Sequence, residues 1–235
     1  LLASGCSFTD KNFTSDYDHN LDTSWPKWPE LLAKKLDMDC INLGYSGSGN
    51  EYIYTSLLNK IVKMDANDIG LIMPAWSSAG RKDWNVRGRW RNLGRISPTL
   101  IPNEGDIKYH IQRSIIYYYS LQEICKNNKL PLKQFQMLPI SRGYDWDPVK
   151  KIHINGRADG RKDLVKAVYD SPYYNLIDDN FLGWPTENNL GGFSIKMDVL
   201  GGYTEEGQKW VISDMDKHPN AEGQEIIAEF LYERL

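Results

Sequence analysis

The 235-residue sequence predicts an α/β fold built on a mostly parallel sheet. Short apolar runs alternate with longer amphipathic stretches along its first 139 residues. The early runs stop at Gly- or Ser-bearing turns, and the final stretch, 220–235, has clean helical spacing. Strands that alternate with helices pair in parallel, so both faces of the sheet are expected to be covered.

Each element has its own local reason. Leu1 to Ser4 is an apolar run that ends in Gly5-Cys6-Ser7 and reads as a buried strand entering a tight turn. It reads as a strand clipped at its start, not as a signal peptide, because a charged n-region and a full apolar h-region are missing. Ser24 to Glu30 opens a helix with Pro29 in its first turn and Leu31, Leu32 and Leu36 on one face. A second strand, 39–43, stops at Gly44. Residues 51–64 form an amphipathic helix with Ile53, Leu57, Leu58, Ile61 and Val62 on its apolar side. The third strand lies within 68–76, and a loop rich in Arg, Trp and Gly follows to about residue 105. The longest helix, 106–126, leads to a fourth strand within 131–139. From 141 to 207 the pattern weakens into turns and short helical pieces, read as an elaborated loop region over one end of the sheet. The last helix carries Ile226, Ile227, Phe230 and Leu231 on one face. With no repeat and no low-complexity linker, residues 1–235 read as one domain.

Composition excludes several classes. A net charge of −3 argues against a dominant nucleic-acid or anionic-membrane role. No apolar run approaches the roughly 18–20 residues that a membrane span needs. Cys6, Cys40 and Cys125 are isolated and odd in number, which suggests neither a disulfide framework nor a zinc site, and no cofactor is implied. Reduced-looking cysteines and the lack of a visible signal favour cytoplasmic synthesis, and virion or oligomeric association stays open. Eight Trp and fourteen Tyr fall largely in polar, turn-rich stretches, which suits a surface for sugar rings or for another protein.

Three segments carry chemistry. Ser7 follows the first strand directly, at the carboxyl end where open α/β sheets bind ligands. Asn42-Leu43-Gly44-Tyr45-Ser46-Gly47-Ser48-Gly49-Asn50 joins a strand to a helix, and its glycines let backbone N–H groups approach developing negative charge. The segment lacks both the dinucleotide fingerprint and a Walker lysine. Asp214-Met215-Asp216-Lys217-His218-Pro219-Asn220 precedes the last helix, and a His held by an Asp can take a proton from a serine hydroxyl. Singly, each segment has an ordinary explanation: turn chemistry, a flexible Ser/Gly loop, a structural histidine at a helix start.

In this order along the chain, Gly5 to Thr9, Asn42 to Asn50 and Asp216 to Gly223 resemble the blocks of the SGNH (GDSL-like) hydrolase family. The resemblance spans essentially the whole sequence, including Trp25-Pro26 and the Leu-rich helix between the first two blocks. It implies a three-layer α/β/α sandwich, flavodoxin-like, with a five-stranded parallel sheet. It also implies Ser7 as nucleophile, His218 as general base, and the Ser7 and Gly44 amides as an oxyanion hole. Two departures stand out. Met215 occupies the usual position of the triad acid; the Asp-x-His spacing resembles that of SGNH polysaccharide O-acetyltransferases and favours Asp216, with Asp214 the alternative. Where the family has an oxyanion-hole Asn after the third strand, this chain has Pro74-Ala75-Trp76-Ser77-Ser78, followed by Arg81. Ser77 or Ser78 is the candidate replacement.

The implied chemistry is hydrolysis of short acyl esters through a Ser7 acyl-enzyme, with O-acetyl groups on a carbohydrate as the expected substrate. Asn50, Trp76 and Arg81 are the candidate substrate contacts. Arg81, Arg87, Arg89, Arg91 and Arg95, interleaved with Trp84 and Trp90, form either a binding surface for an acidic or acetylated polysaccharide or a solvated basic loop. Trp146 and Trp184 are candidates for sugar stacking or for loop anchors. Two alternatives remain at this stage: an O-acyltransferase using the same residues, and a non-catalytic carbohydrate-binding or virion-associated module.

Overall fold

Side-chain alternation along the first strand splits the core into two clusters, one on each face of a sheet. The computed structural model describes residues 1–95, 107–140, 144–147, 152–155 and 158–235. Strand β1 (Leu2–Ser4) leads through a long turn to helix α1 (Trp28–Lys35), strand β2 (Ile41–Asn42) and helix α2 (Asn50–Ile61). Strand β3 (Ile72–Trp76) is followed by a hairpin of β4 (Arg81–Val86) and β5 (Arg89–Arg95), then helix α3 (Ile107–Asn127) and strand β6 (Gln134–Gln136). A second hairpin, β7 (Tyr144–Asp147) with β8 (Ile152–Asn155), precedes helix α4 (Ala158–Tyr169), strand β9 (Phe181–Leu182) and helix α5 (Ala221–Tyr232).

The sheet order is β2-β1-β3-β6-β9, with every neighbouring pair parallel. Taking the sheet strands in chain order, this is the 2-1-3-4-5 order of a flavodoxin-like fold, whose switch point lies between β1 and β3. On one face Leu1, Ala3, Met73, Ala75 and Phe135 pack with Trp28 and Leu32 of α1 and Ile227 and Leu231 of α5. On the other, Leu2, Ile72 and Trp76 pack with Ile53 and Leu57 of α2 and Ile111, Ile115 and Tyr118 of α3. Helices therefore cover both faces, giving the three-layer α/β/α sandwich. Among the described residues no helix is long and apolar enough to cross a membrane.

Two stretches differ from expectation. The Arg- and Trp-rich segment after β3 holds the β4–β5 hairpin instead of an open loop. Its strands carry one Trp each among mostly charged and polar residues, and its turn is Arg87-Gly88, so the usual Asn-Gly signal is absent. The 141–207 region supplies the fifth sheet strand and helix α4. Strand β9 is two residues long and owes its existence to parallel pairing with β6, which leaves no periodic trace in the sequence. Cys6 and Cys125 are buried and Cys40 is half-buried, all three as free thiols. Burial pushes the Cys40 thiol up to about 11 and that of Cys125 up to about 12.

Candidate active site

Ser7 sits on the turn that leaves β1, beside the switch point. The Cys6 carbonyl accepts from the amides of Thr9 (2.8 Å) and Asp10 (3.0 Å), which folds the turn back on itself. Gly5 is required there, since a Cβ would lie 2.2 Å from Thr9 Oγ1. The turn is braced by Trp28, whose indole N–H donates to Thr9 Oγ1 at 3.1 Å. It is braced again by Gln224 of α5, which donates to the Phe8 carbonyl at 3.1 Å and accepts from the Trp28 amide at 2.9 Å.

His218 arrives from the segment before α5. Its carbonyl accepts from the Ile212 amide at 2.9 Å. Asn220 caps the helix by accepting from the Gly223 amide at 2.9 Å. A side chain at Gly223 would meet the Trp210 carbonyl at 2.2 Å, so the Asn-x-x-Gly spacing is a packing requirement as well as a cap. The His218 ring stacks on Phe13, with centroids 4.3 Å apart, and lies 5.3 Å from the Phe8 ring.

Ser7, His218 and Asp216 come together in one line. Ser7 Oγ is 2.8 Å from His218 Nε2, and His218 Nδ1 is 2.5 Å from Asp216 Oδ1. With the proton on Nδ1, facing the carboxylate, Nε2 is free to accept from the serine hydroxyl. Asp216 is 1% exposed, and its other oxygen accepts from Ser15 Oγ at 2.5 Å. Burial alone would raise the Asp216 pKa; the hydrogen bonds from His218 and Ser15 together outweigh it and hold the carboxyl at about 2. Asp214, by contrast, is 90% exposed and lies 3.5 Å from Lys217. Of the two candidate acids, Asp216 is the one in contact with His218.

The remaining expected site residues are placed differently. Gly44 donates its amide to Asn42 Oδ1 at 2.8 Å, so that N–H is not available to an oxyanion. Its glycine identity serves packing, because a Cβ would lie 2.7 Å from the backbone of Thr9 and Asp10. In the same loop Gly47 has φ +81°, and its amide has no acceptor among the described residues. The Ser7 amide is likewise without one. The loop is held over the Ser7 turn by Tyr45, whose amide donates to the Gly5 carbonyl, and by Ser48, whose hydroxyl does the same at 2.9 Å. Asp10 adds a clamp, accepting from the Ser46 amide at 2.9 Å and its hydroxyl at 2.7 Å.

Asn50 is buried and fully engaged, accepting from the Ser77 amide at 2.7 Å and donating to the Ser77 carbonyl and Ser114 Oγ. It belongs to the core network behind the site, not to a substrate surface. Trp76 is 0% exposed, stacks on Tyr118 and donates to Gln134 Oε1 at 3.0 Å; it too is core. The Ser77 amide is committed to Asn50, and its buried hydroxyl has no partner among the described residues. Ser78 is buried as well, 3.5 Å from the Ile140 carbonyl. Ser77 and Ser78 are thus 0% and 4% exposed. Arg81 does reach the loop, donating to the Ser48 carbonyl at 3.1 Å. Trp184 anchors its loop by donating to the Tyr174 carbonyl at 3.0 Å. The side chains of Arg95 and Trp146 lie outside the described residues.

Sequence reasoning missed Ser15, Phe13, Asp10 and Gly47. Only Gly47 carried a local signal, as one of several glycines in a Ser/Gly loop. A groove of about 560 Å³ lined by Leu36, Met38, Gly70, Leu132 and neighbours lies at the amino ends of the strands, away from Ser7.

No protein-family model matches the chain, and no curated protein does. Among solved structures it is similar to one described as a lipolytic protein of the G-D-S-L family from Desulfitobacterium hafniense, at 13% identity and TM-score 0.48, over 100% of this chain and 98% of that one. It is also similar to an acylhydrolase structure from Bacteroides fragilis, at 14% identity and TM-score 0.46, over 99% and 84% of the two chains. A third is a GDSL-like lipase structure from Parabacteroides merdae, at 12% identity and TM-score 0.46, over 99% and 93%.

Proposed function

We propose that the chain is a serine esterase of the SGNH type that removes short acyl groups, in particular O-acetyl groups carried by a carbohydrate. The observation that carries this reading is the Ser7–His218–Asp216 line, with contacts of 2.8 and 2.5 Å, at the carboxyl end of the first strand. His218 takes the Ser7 proton as Oγ attacks the ester carbonyl, and Asp216 stabilises the imidazolium that forms. The oxyanion is assigned to the Ser7 and Gly47 amides, neither of which has an acceptor among the described residues. His218 returns its proton to the leaving alcohol, and water then releases the acyl group by the same route.

The Asp216-Lys217-His218 spacing favours a second fate for the acyl group, transfer to a sugar hydroxyl in place of water. A product that forms only when an acceptor sugar is added distinguishes it.

The test is fluorophosphonate labelling read by intact mass. The wild type is expected to gain one phosphonyl adduct and Ser7→Ala none. A folded wild type that stays unlabelled refutes the esterase reading.

A further inference from the structure

The first hairpin begins just after the position where the SGNH family carries its oxyanion-hole Asn, and its first residues reach back to the loop that carries Gly47. A turn in which the Arg81 amide donates to the Ser78 carbonyl at 3.2 Å starts β4. Strand register then puts Asp83, Asn85 and Trp90 on the inward face and Trp84, Arg89 and Arg91 on the other. Asp83 is buried, and its two carboxylate oxygens accept from the Gly49 amide at 2.8 Å and the Tyr52 amide at 2.9 Å. Arg81 donates to the Ser48 carbonyl at 3.1 Å.

The Ser48 carbonyl and the Gly49 N–H are the two poles of one peptide unit. The hairpin therefore grips a single peptide plane at both ends, its oxygen by a guanidinium and its N–H by a carboxylate. Both bonds are charge-assisted, the stronger class of hydrogen bond. A peptide plane next to glycine otherwise turns over readily, because a residue without Cβ accepts either orientation. Glycine is nevertheless obligatory at 49, since a Cβ there would lie 2.9 Å from the Arg81 carbonyl oxygen and 3.0 Å from Arg81 Cβ. The close approach of the hairpin demands the residue that loosens the loop, and the two charged side chains restore its rigidity.

Ser48 is tied on its other side as well, its hydroxyl donating to the Gly5 carbonyl at 2.9 Å. Ser46 is held by Asp10, which accepts from its amide at 2.9 Å. Gly47, at φ +81°, thus has both neighbours fixed. Trp90 of the hairpin also meets the Tyr52 ring edge-on at 5.4 Å, and the Tyr52 hydroxyl donates to the Leu43 carbonyl at 2.9 Å, where the same loop starts.

We propose that Arg81 and Asp83 are positioning residues that hold the Ser48–Gly49 peptide, and through it the Gly47 amide, in the orientation that receives the oxyanion. The inference rests on the esterase reading and on Gly47 as a donor of the hole. Neither side chain needs to touch the substrate. A hole without the family's Asn side chain depends the more on its backbone amides, and a misplacement of about 1 Å costs up to about 10²-fold in rate.

The test follows the rate of Ser7 phosphonylation and the steady-state hydrolysis of p-nitrophenyl acetate by the full-length chain. Four variants are compared with wild type: Arg81→Met, Arg81→Lys, Asp83→Asn, and Arg81→Met combined with Asp83→Asn. Met keeps the aliphatic stem and loses the donor, Lys keeps a donor for the Ser48 carbonyl, and Asn keeps one acceptor of the two. Arg81→Met and Asp83→Asn are each expected to lower kcat on the order of tenfold, with KM within about twofold of wild type. Arg81→Lys is expected to recover most of that loss. The double variant should be no worse than the poorer single one, as both changes act on one peptide. Thermal unfolding shows which variants are folded at the assay temperature; if Asp83→Asn is not, the two Arg81 variants decide. A folded Arg81→Met with wild-type kcat, a loss confined to KM, or a loss that Lys does not recover overturns the proposal. A folded wild type that neither labels nor hydrolyses defeats the esterase reading instead, and the positioning role falls with it.

Discussion

Asp216 is held from two sides, and the second side is Ser15. The Ser15 oxygen accepts from the amides of Tyr17 and Asp18, both at 3.2 Å, so its own proton is directed to the carboxylate. Asp216 therefore titrates near 2 in the folded chain against an ordinary value near 3.8. A depressed carboxyl pKa stabilises the fold above the unfolded value, and that contribution fades as pH falls through the folded one. The full effect of this group, roughly 2 kcal/mol, is thus present above about pH 4 and lost by about pH 2. Ser15→Ala is expected to lower stability near pH 5 by about 1 kcal/mol and to differ little from wild type near pH 2, as read by urea unfolding at both pH values. Ser7, His218 and Asp216 were legible because their blocks keep a recognisable order along the chain. Ser15 was not, since its bond to Asp216 spans 201 residues and leaves no local spacing to read.

At the scale of elements, loops were assigned function that they hold for packing. Gly44 and Asn50 flank the covering loop, and both are committed inward. Gly44→Ala forces a Cβ against the Thr9 and Asp10 backbone and is expected to cost about 1–3 kcal/mol. Asn50→Ala strands the Ser77 amide and is expected to cost a similar amount, about 1–3 kcal/mol. Both should lower the urea midpoint; a weakened substrate affinity with undiminished stability would instead restore Asn50 to the binding surface. Glycines and amides in a turn read alike whether they face a ligand or a neighbouring strand, and only the packing of the Ser7 turn against this loop separates the two. The first hairpin was hidden for a related reason, as its strands are mostly charged and polar and show no apolar period.

For the whole molecule, the parallel order of the sheet was readable from the alternation of elements up to β6. The closing strand β9 was not, because two residues carry no period and the pairing that makes them a strand is entirely tertiary. The same separation of sequence from space governs Ser7 and His218. They stand 211 positions apart, one after the first strand and the other before the last helix, and Gln224 ties those two elements to α1. Any opening that lets α5 leave the sheet separates the His218 ring from the Ser7 hydroxyl before the rest of the core need melt. On the proposed esterase reading, ester turnover would then be a gauge of how intact that seam is. Its loss with rising urea should coincide with, or precede, the loss of far-UV circular dichroism, and turnover that outlasts the dichroism would show that the two groups stay together without the sheet between them.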